Sequence, residues 1–193
     1  MRRRLAIRVF TLALASFAAL PSTAHPSAGP ATRSTAGACA AAHARVSSAT
    51  LEVARRATVC LLNRERAARG LAPLRLHPTL TRVAERHARD MVRNRYFAHV
   101  SRDGRSPFDR MLATRYVGRG AHWLLGENIG WGTRSLAEPA SLVKAWMRSP
   151  GHRRNILNGR FRDVGVGIAL GVPEPRFAGQ HGATYTTDFG AVS

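Results

Sequence analysis

The sequence predicts an α+β fold, with helices first and strands last. Apolar residues recur at helical spacing between Leu51 and Met91 and again at Val143 and Trp146. Two later runs, Val164–Ile168 and Thr184–Phe189, are β-branched, aromatic or glycine-spaced and read as strands. Helical and strand patterns do not alternate, which argues against repeated βαβ units and for a sandwich of separate layers.

The N-terminus reads as an export address. Arg2, Arg3, Arg4 and Arg8 precede an apolar stretch from Leu5 to Leu20, and Ser22-Thr23-Ala24 supplies the small residues of a cleavage site. The expectation is a signal peptide over 1–24 and a secreted, monomeric product, with an uncleaved anchor as the alternative. Residues 25–47 are rich in Ala, Ser, Thr, Pro and Gly without periodicity, so they read as a flexible leader, and the compact domain is expected over 48–193. Cys39 and Cys60 are the only cysteines. In an oxidising compartment they favour a disulfide, worth roughly 3 kcal/mol for a loop of that size, over one buried and one exposed thiol.

The first helix is read over Leu51–Arg69, with Ser47 or Ser48 to cap it and Gly70 just beyond its end. Pro78 suits the first position of the second helix, where Leu80, Val83, Ala84, His87, Ala88 and Met91 form one face. His87 on that face reads as a hydrogen-bonded core residue. Ser106, Pro107 and Asp109 combine an N-cap, a proline at N1 and an acidic N3 partner, starting a third helix through about Arg115. Gly118–Gly120 is loop. Leu124–Gly132 alternates around Glu127 and suits a strand or extended loop, with Glu127 facing away from Gly126 and Asn128.

The last helix starts near Pro139 and must end by about Ser149, because Pro150 lacks an N–H and turns its predecessor away from the helical region. Gly151 is then read as a sharp turn that delivers His152 at a corner. Val164–Ile168 follows as a short buried strand in which Gly165 and Gly167 permit close backbone approach. Helix, corner, histidine and strand within one segment mark the wall of a site.

The formal net charge is +19. Such a balance attracts anionic envelope polymers and lipid head groups nonspecifically. The arginines are scattered and few aromatics interleave with them, so no specific nucleic-acid site is indicated. His99, Glu127 and His152 are the groups that could do chemistry together: two imidazoles and a carboxylate suit Zn²⁺ or another divalent metal, or general acid–base work. Spacing alone does not unite them, since there is no local H-E-x-x-H pair.

The segments F-A-H-V-S at 97–101, G-E-N-I at 126–129, W-M-R-S-P-G-H-R-R-N-I-L at 146–157 and V-G-V-G at 164–167 resemble the CAP superfamily, also called SCP-like, in its short bacterial secreted branch. The resemblance spans roughly Val59 to Phe189. It implies an α-β-α sandwich with a central antiparallel sheet and a cleft lined by His99, Glu127 and His152. Eukaryotic members carry a second glutamate where this chain has Ser149, which weakens their metal chemistry as a guide here. Asn128, Asn155 and Trp146 also match, as residues that support or pack beneath the cleft.

Three functions follow. The first is a secreted binding module for a small molecule, lipid, peptide or metal. The second is a metal-assisted hydrolase using His99, Glu127 and His152. The third is a polar network with a purely structural role. No serine or cysteine lies in a nucleophile motif. Intact mass of the exported protein, with and without reductant, is expected to begin at His25 and to show one Cys39–Cys60 bridge; retention of residues 1–24, or two free thiols, would contradict this.

Overall fold

The computed structural model describes residues 39–193, so the expected signal peptide and most of the expected leader lie outside the described residues. Among the described residues five helices are α1 Leu51–Ala67, α2 Pro78–Asn94, α3 Pro107–Leu112, α4 Pro139–Arg148 and α5 Pro150–Ile156. The strands are β1 Arg75–Leu76, β2 Trp123–Thr133, β3 Asp163–Leu170 and β4 Gly182–Val192. They form one four-stranded sheet in the order β1-β3-β4-β2. β3 and β2 each run antiparallel to β4, and two-residue β1 lies parallel to β3 at one edge.

Alternation along the strands sends apolar side chains to two separate layers. Val164, Val166 and Ile168 of β3 join Tyr185 and Phe189 of β4 in a cluster with Leu62 of α1, Val143 and Trp146 of α4, and Ile156 of α5. On the opposite face Leu125 meets Leu80 and Val83 of α2, Met111 of α3 and Tyr116. The described residues therefore form an α-β-α sandwich.

The glycines of V-G-V-G set the spacing of the second layer. A Cβ on Gly165 would lie 2.1 Å from the Leu80 carbonyl carbon, and one on Gly167 would lie 2.2 Å from that of Ala84. The backbone of α2 thus rests directly on β3, where any side chain would push it off.

Several boundaries differ from the sequence reading, each for a local reason. The third helix stops at Leu112 rather than Arg115, because Thr114 turns its hydroxyl onto the Met111 carbonyl and accepts from the Tyr116 N–H. Pro150 does not open a turn; it is the N1 residue of α5, with Ser149 extended before it, so His152 sits in a helix and not on a bare corner. The packed domain also begins before Ser48. Ala42 and Val46 are buried, and the Ala42 carbonyl accepts from the Ala140 N–H at 2.9 Å. Cys39 and Cys60 form a disulfide with Cα atoms 5.6 Å apart, fastening this segment to α1.

Arg66 fixes α5 from below. Its guanidinium is fully buried and donates to the carbonyls of Ala72, Ile156 and Asn158 at 2.8–2.9 Å. Those carbonyls include the unsatisfied C-terminal end of α5.

Trp146 is 2% exposed, and its indole N–H donates to the Ile129 carbonyl at 3.0 Å. Trp146→Ala is expected to cost about 3–5 kcal/mol in chemical denaturation, because it removes a buried aromatic and leaves a carbonyl unsatisfied. A denaturation midpoint equal to that of the unaltered protein would contradict this packing.

Candidate functional site

Glu127 lies near the middle of β2, the edge strand on the side away from β1. Its side chain is 2% exposed and points toward α2 and α3. A carboxylate so buried must be paired. Its Oε2 accepts from Arg110 Nη2 at 2.6 Å, and its Oε1 lies 2.7 Å from Nδ1 of His99. With Glu127 ionised, that imidazole nitrogen carries the proton and donates.

Arg110 comes from α3, whose capping box of Ser106 and Asp109 fixes where the helix begins. Its other terminal nitrogen, Nη1, donates to the carbonyls of His99 and Arg105 at 2.8 and 3.0 Å and to Ser101 Oγ at 3.0 Å. One guanidinium therefore neutralises Glu127 and closes the loop between α2 and α3 that carries His99. The imidazole of His99 remains half exposed, and among the described residues its Nε2 has no hydrogen-bond partner.

A second acid stands behind the first. Asp188 on β4 faces Glu127 directly across the ladder and faces Gly165 on its other side. It is fully buried, and neither of its oxygens meets a hydrogen-bond donor of the described protein. Burial first, then the neighbouring Glu127 charge, pushes its carboxyl well above the ordinary range, with Arg110 opposing. The contact between the two acids is a hydrogen bond only if one carries a proton, and the unassisted Asp188 is the one that must hold it.

His152 approaches from the opposite layer on α5. Burial, followed by the nearby His99, lowers its pKa, so it is neutral at physiological pH. Its Nδ1 is buried and meets no hydrogen-bond partner among the described residues, and its backbone carbonyl accepts from Asn128 Nδ2 at 3.1 Å. Asn155 Nδ2 donates to Asn128 Oδ1 at 2.9 Å and to the Glu127 carbonyl at 3.0 Å. Asn128, Asn155 and Trp146 thus tie α4 and α5 to β2. Ser149, half buried, occupies the N-cap position of α5; its carbonyl accepts from Arg153, and its hydroxyl makes no cap hydrogen bond.

The structure brings His99 onto Glu127 and leaves His152 beside them without a direct contact. Among the described residues no group of three or more His, Cys, Asp or Glu side chains is arranged to hold a metal ion. At Glu127 both oxygens are engaged in the described arrangement, by His99 and by Arg110. His87 is buried on α2, with Nε2 3.0 Å from the Ala98 carbonyl, and supports the same loop.

Sequence reasoning missed Arg110 and Asp188. Asp188 had a signal, as the lone acid in an otherwise apolar and threonine-rich strand. Arg110 had none, since it sits in a short helix between Asp109 and Met111 and resembles any surface arginine.

The model of the cysteine-rich secretory protein (CAP) family matches residues 59–174, more than half of the chain. The chain is 43% identical over 107 residues to the uncharacterized protein YkwD of Bacillus subtilis, covering 55% of this chain and 39% of that protein. It is 34% identical over 108 residues to the uncharacterized membrane protein YlbC of the same organism, covering 56% of this chain and 29% of that one. The chain therefore spans well under half the length of these curated relatives. Among solved structures it is similar to an extracellular protein containing a SCP domain from Bacillus anthracis, at a TM-score of 0.57 and 27% identity over 75% of this chain and 43% of that one. An outer surface protein from Borrelia burgdorferi shares the fold, at a TM-score of 0.53 and 22% identity over 68% of this chain and 87% of that one.

The protonated Asp188 has a measurable consequence. Its folded pKa lies above the unfolded value of 3.8, so the stability it contributes is complete below that pH and is lost as pH rises toward the folded value. Asp188→Asn removes this loss and can still donate to Glu127. The stability of the variant relative to the unaltered protein is expected to rise as pH climbs above about 4, by at most about 1.4 kcal/mol per pH unit, until the folded-state value is passed. His87 and His152, both lowered chiefly by burial, lose stability in the opposite direction as pH falls below 6.5, and they cancel in this comparison. Parallel urea-denaturation curves across that range would mean Asp188 is ionised.

Proposed function

Because the chain belongs to the cysteine-rich secretory protein (CAP) family, we propose that it is an exported binding module whose ligand seats against the free imidazole edges of His99 and His152. The observation that carries this reading is the engagement of Glu127. Both its oxygens are engaged, by His99 and by Arg110, and its side chain is only 2% exposed, so it is poorly placed to meet and activate a water. A general base must be within reach of the proton it takes, and this one would first have to break a buried ion pair. The carboxylate instead orients His99: it holds the Nδ1 proton and leaves Nε2 outward as an acceptor.

Such a cleft suits a small molecule or peptide that donates a hydrogen bond to one imidazole while resting on the other. The lowered pKa of His152 supports this, because a neutral ring beside His99 avoids repulsion between two cations. Export is supported by the N-terminal address and by the extracellular description of the Bacillus anthracis protein. No helix of the described residues is long and apolar enough to cross a membrane.

Zn²⁺ is a direct probe of two free imidazoles. Calorimetric titration at neutral pH is expected to show weak binding, lost in both His99→Ala and His152→Ala and fading as pH falls below about 6.5. Tight binding that depends on Glu127, or ester or peptide hydrolysis abolished by Glu127→Gln, would replace the binding module with a metal-assisted hydrolase.

A further inference from the structure

A second feature stands apart from the cleft. Phe108 and Leu112 lie one helical turn apart on α3, the Phe108 and Trp123 rings are 6.3 Å apart, and Trp123 stands opposite Val192 in the β2–β4 ladder. All four are between 38% and 46% exposed. They make one contiguous apolar face where β2 begins and β4 ends. Arg160 and Arg162 line a depression of about 350 Å³ together with Trp123 and Val192. Among the described residues neither guanidinium meets a carboxylate; Arg162 donates to the carbonyls of Gly159 and Phe161.

We propose that this face docks the protein on anionic lipid bilayers, with Trp123 and Phe108 entering the interfacial layer and Arg160 and Arg162 meeting lipid phosphates. The indole of Trp123 favours the head-group region, the phenyl ring of Phe108 adds apolar area beside it, and guanidinium groups match phosphate geometry. The chain supports the attraction, with 30 basic residues against 11 acidic ones. A second copy of the chain is a poor occupant, because a two-fold contact would set these arginines against themselves. Four side chains also fall well short of the roughly 800 Å² per partner of a stable protein interface. A soluble anionic polymer would use the arginines and leave the aromatic rings without a role. The face is independent of what occupies the cleft.

Vesicle co-sedimentation with the full chain tests the proposal, since every variant carries the same N-terminal residues. Vesicles containing phosphatidylglycerol are expected to bind roughly tenfold or more tightly than vesicles of phosphatidylcholine alone. The double variants F108S/W123S and R160E/R162Q should each weaken binding by at least about tenfold while keeping the circular dichroism spectrum. Orientation is read separately. Residues 1–38 contain no tryptophan, and the three tryptophans are Trp123, Trp131 and Trp146. Brominated acyl chains should therefore quench the bound protein, and W123F should bind yet escape quenching; this comparison decides the matter even if a double variant fails to fold. Equal quenching in W123F, or full binding by folded F108S/W123S, would overturn the proposal. So would binding to soluble polyphosphate without binding to vesicles, or a dimer abolished by W123F in a protein that ignores vesicles.

Discussion

A carboxylate taken out of water needs a cation, and the arrangement around Glu127 follows from how that need is met. Among the described residues, Arg110 alone is hydrogen-bonded to both Glu127 and the backbone of the loop that carries His99. Its planar, forked guanidinium can serve several acceptors at once, which an ammonium could not do from one position. Neutralising Glu127 and folding the 99–105 loop are therefore one event. Removing either partner would leave a charge buried without compensation, a far larger cost than the net value of the pair itself. The imidazole of His99 is presented at the surface by groups that are almost wholly inside.

The sheet determines how two acids come to share so small a volume. β4 is paired on both sides, and its register places Asp188 between Glu127 and Gly165. Gly165 has no side chain because the backbone of α2 lies against it, so no polar group from β3 reaches Asp188. The helix contact that gives the second layer its close packing thus also denies Asp188 a donor. The shared proton between the acids is a consequence of that packing: with one proton, the pair carries a single negative charge, which one guanidinium balances.

Much of this was legible in the residues, and the division between what was and what was not is physical. Helix α2 was clear because its apolar stripe, its N1 proline and its core histidine are all local signals. The glycines of β3 announced a close approach, although not which element approached. His99, Glu127 and His152 were named through the family resemblance rather than through spacing. Arg110 escaped because its role depends on the α3 docking angle, which leaves no local pattern, and Asp188, although a lone acid in its strand, shows its partner only through the sheet register. Pro150 was misread for the opposite reason. Its local rule ends one helix and equally well begins another, and only the packing of Ile156 into the core selects the second outcome.

Glu127 also stands where the sheet ends. β2 is an edge strand, and an edge carries unpaired backbone groups that must be covered. The carbonyls of Glu127 and Ile129, two residues apart, accept from Asn155 Nδ2 and Trp146 Nε1 respectively. Both donors belong to the W-M-R-S-P-G-H-R-R-N-I-L segment, so its tryptophan and asparagine do for β2 what a further strand would otherwise do. His152 stands at this edge, on the same short helix as Asn155 and with its carbonyl held by Asn128. Because alternation sends Glu127 to one layer and Asn128 to the other, a single edge strand joins an imidazole from each side of the sandwich. A site at this edge needs no insertion into the fold: it is built from the same contacts that close the sheet.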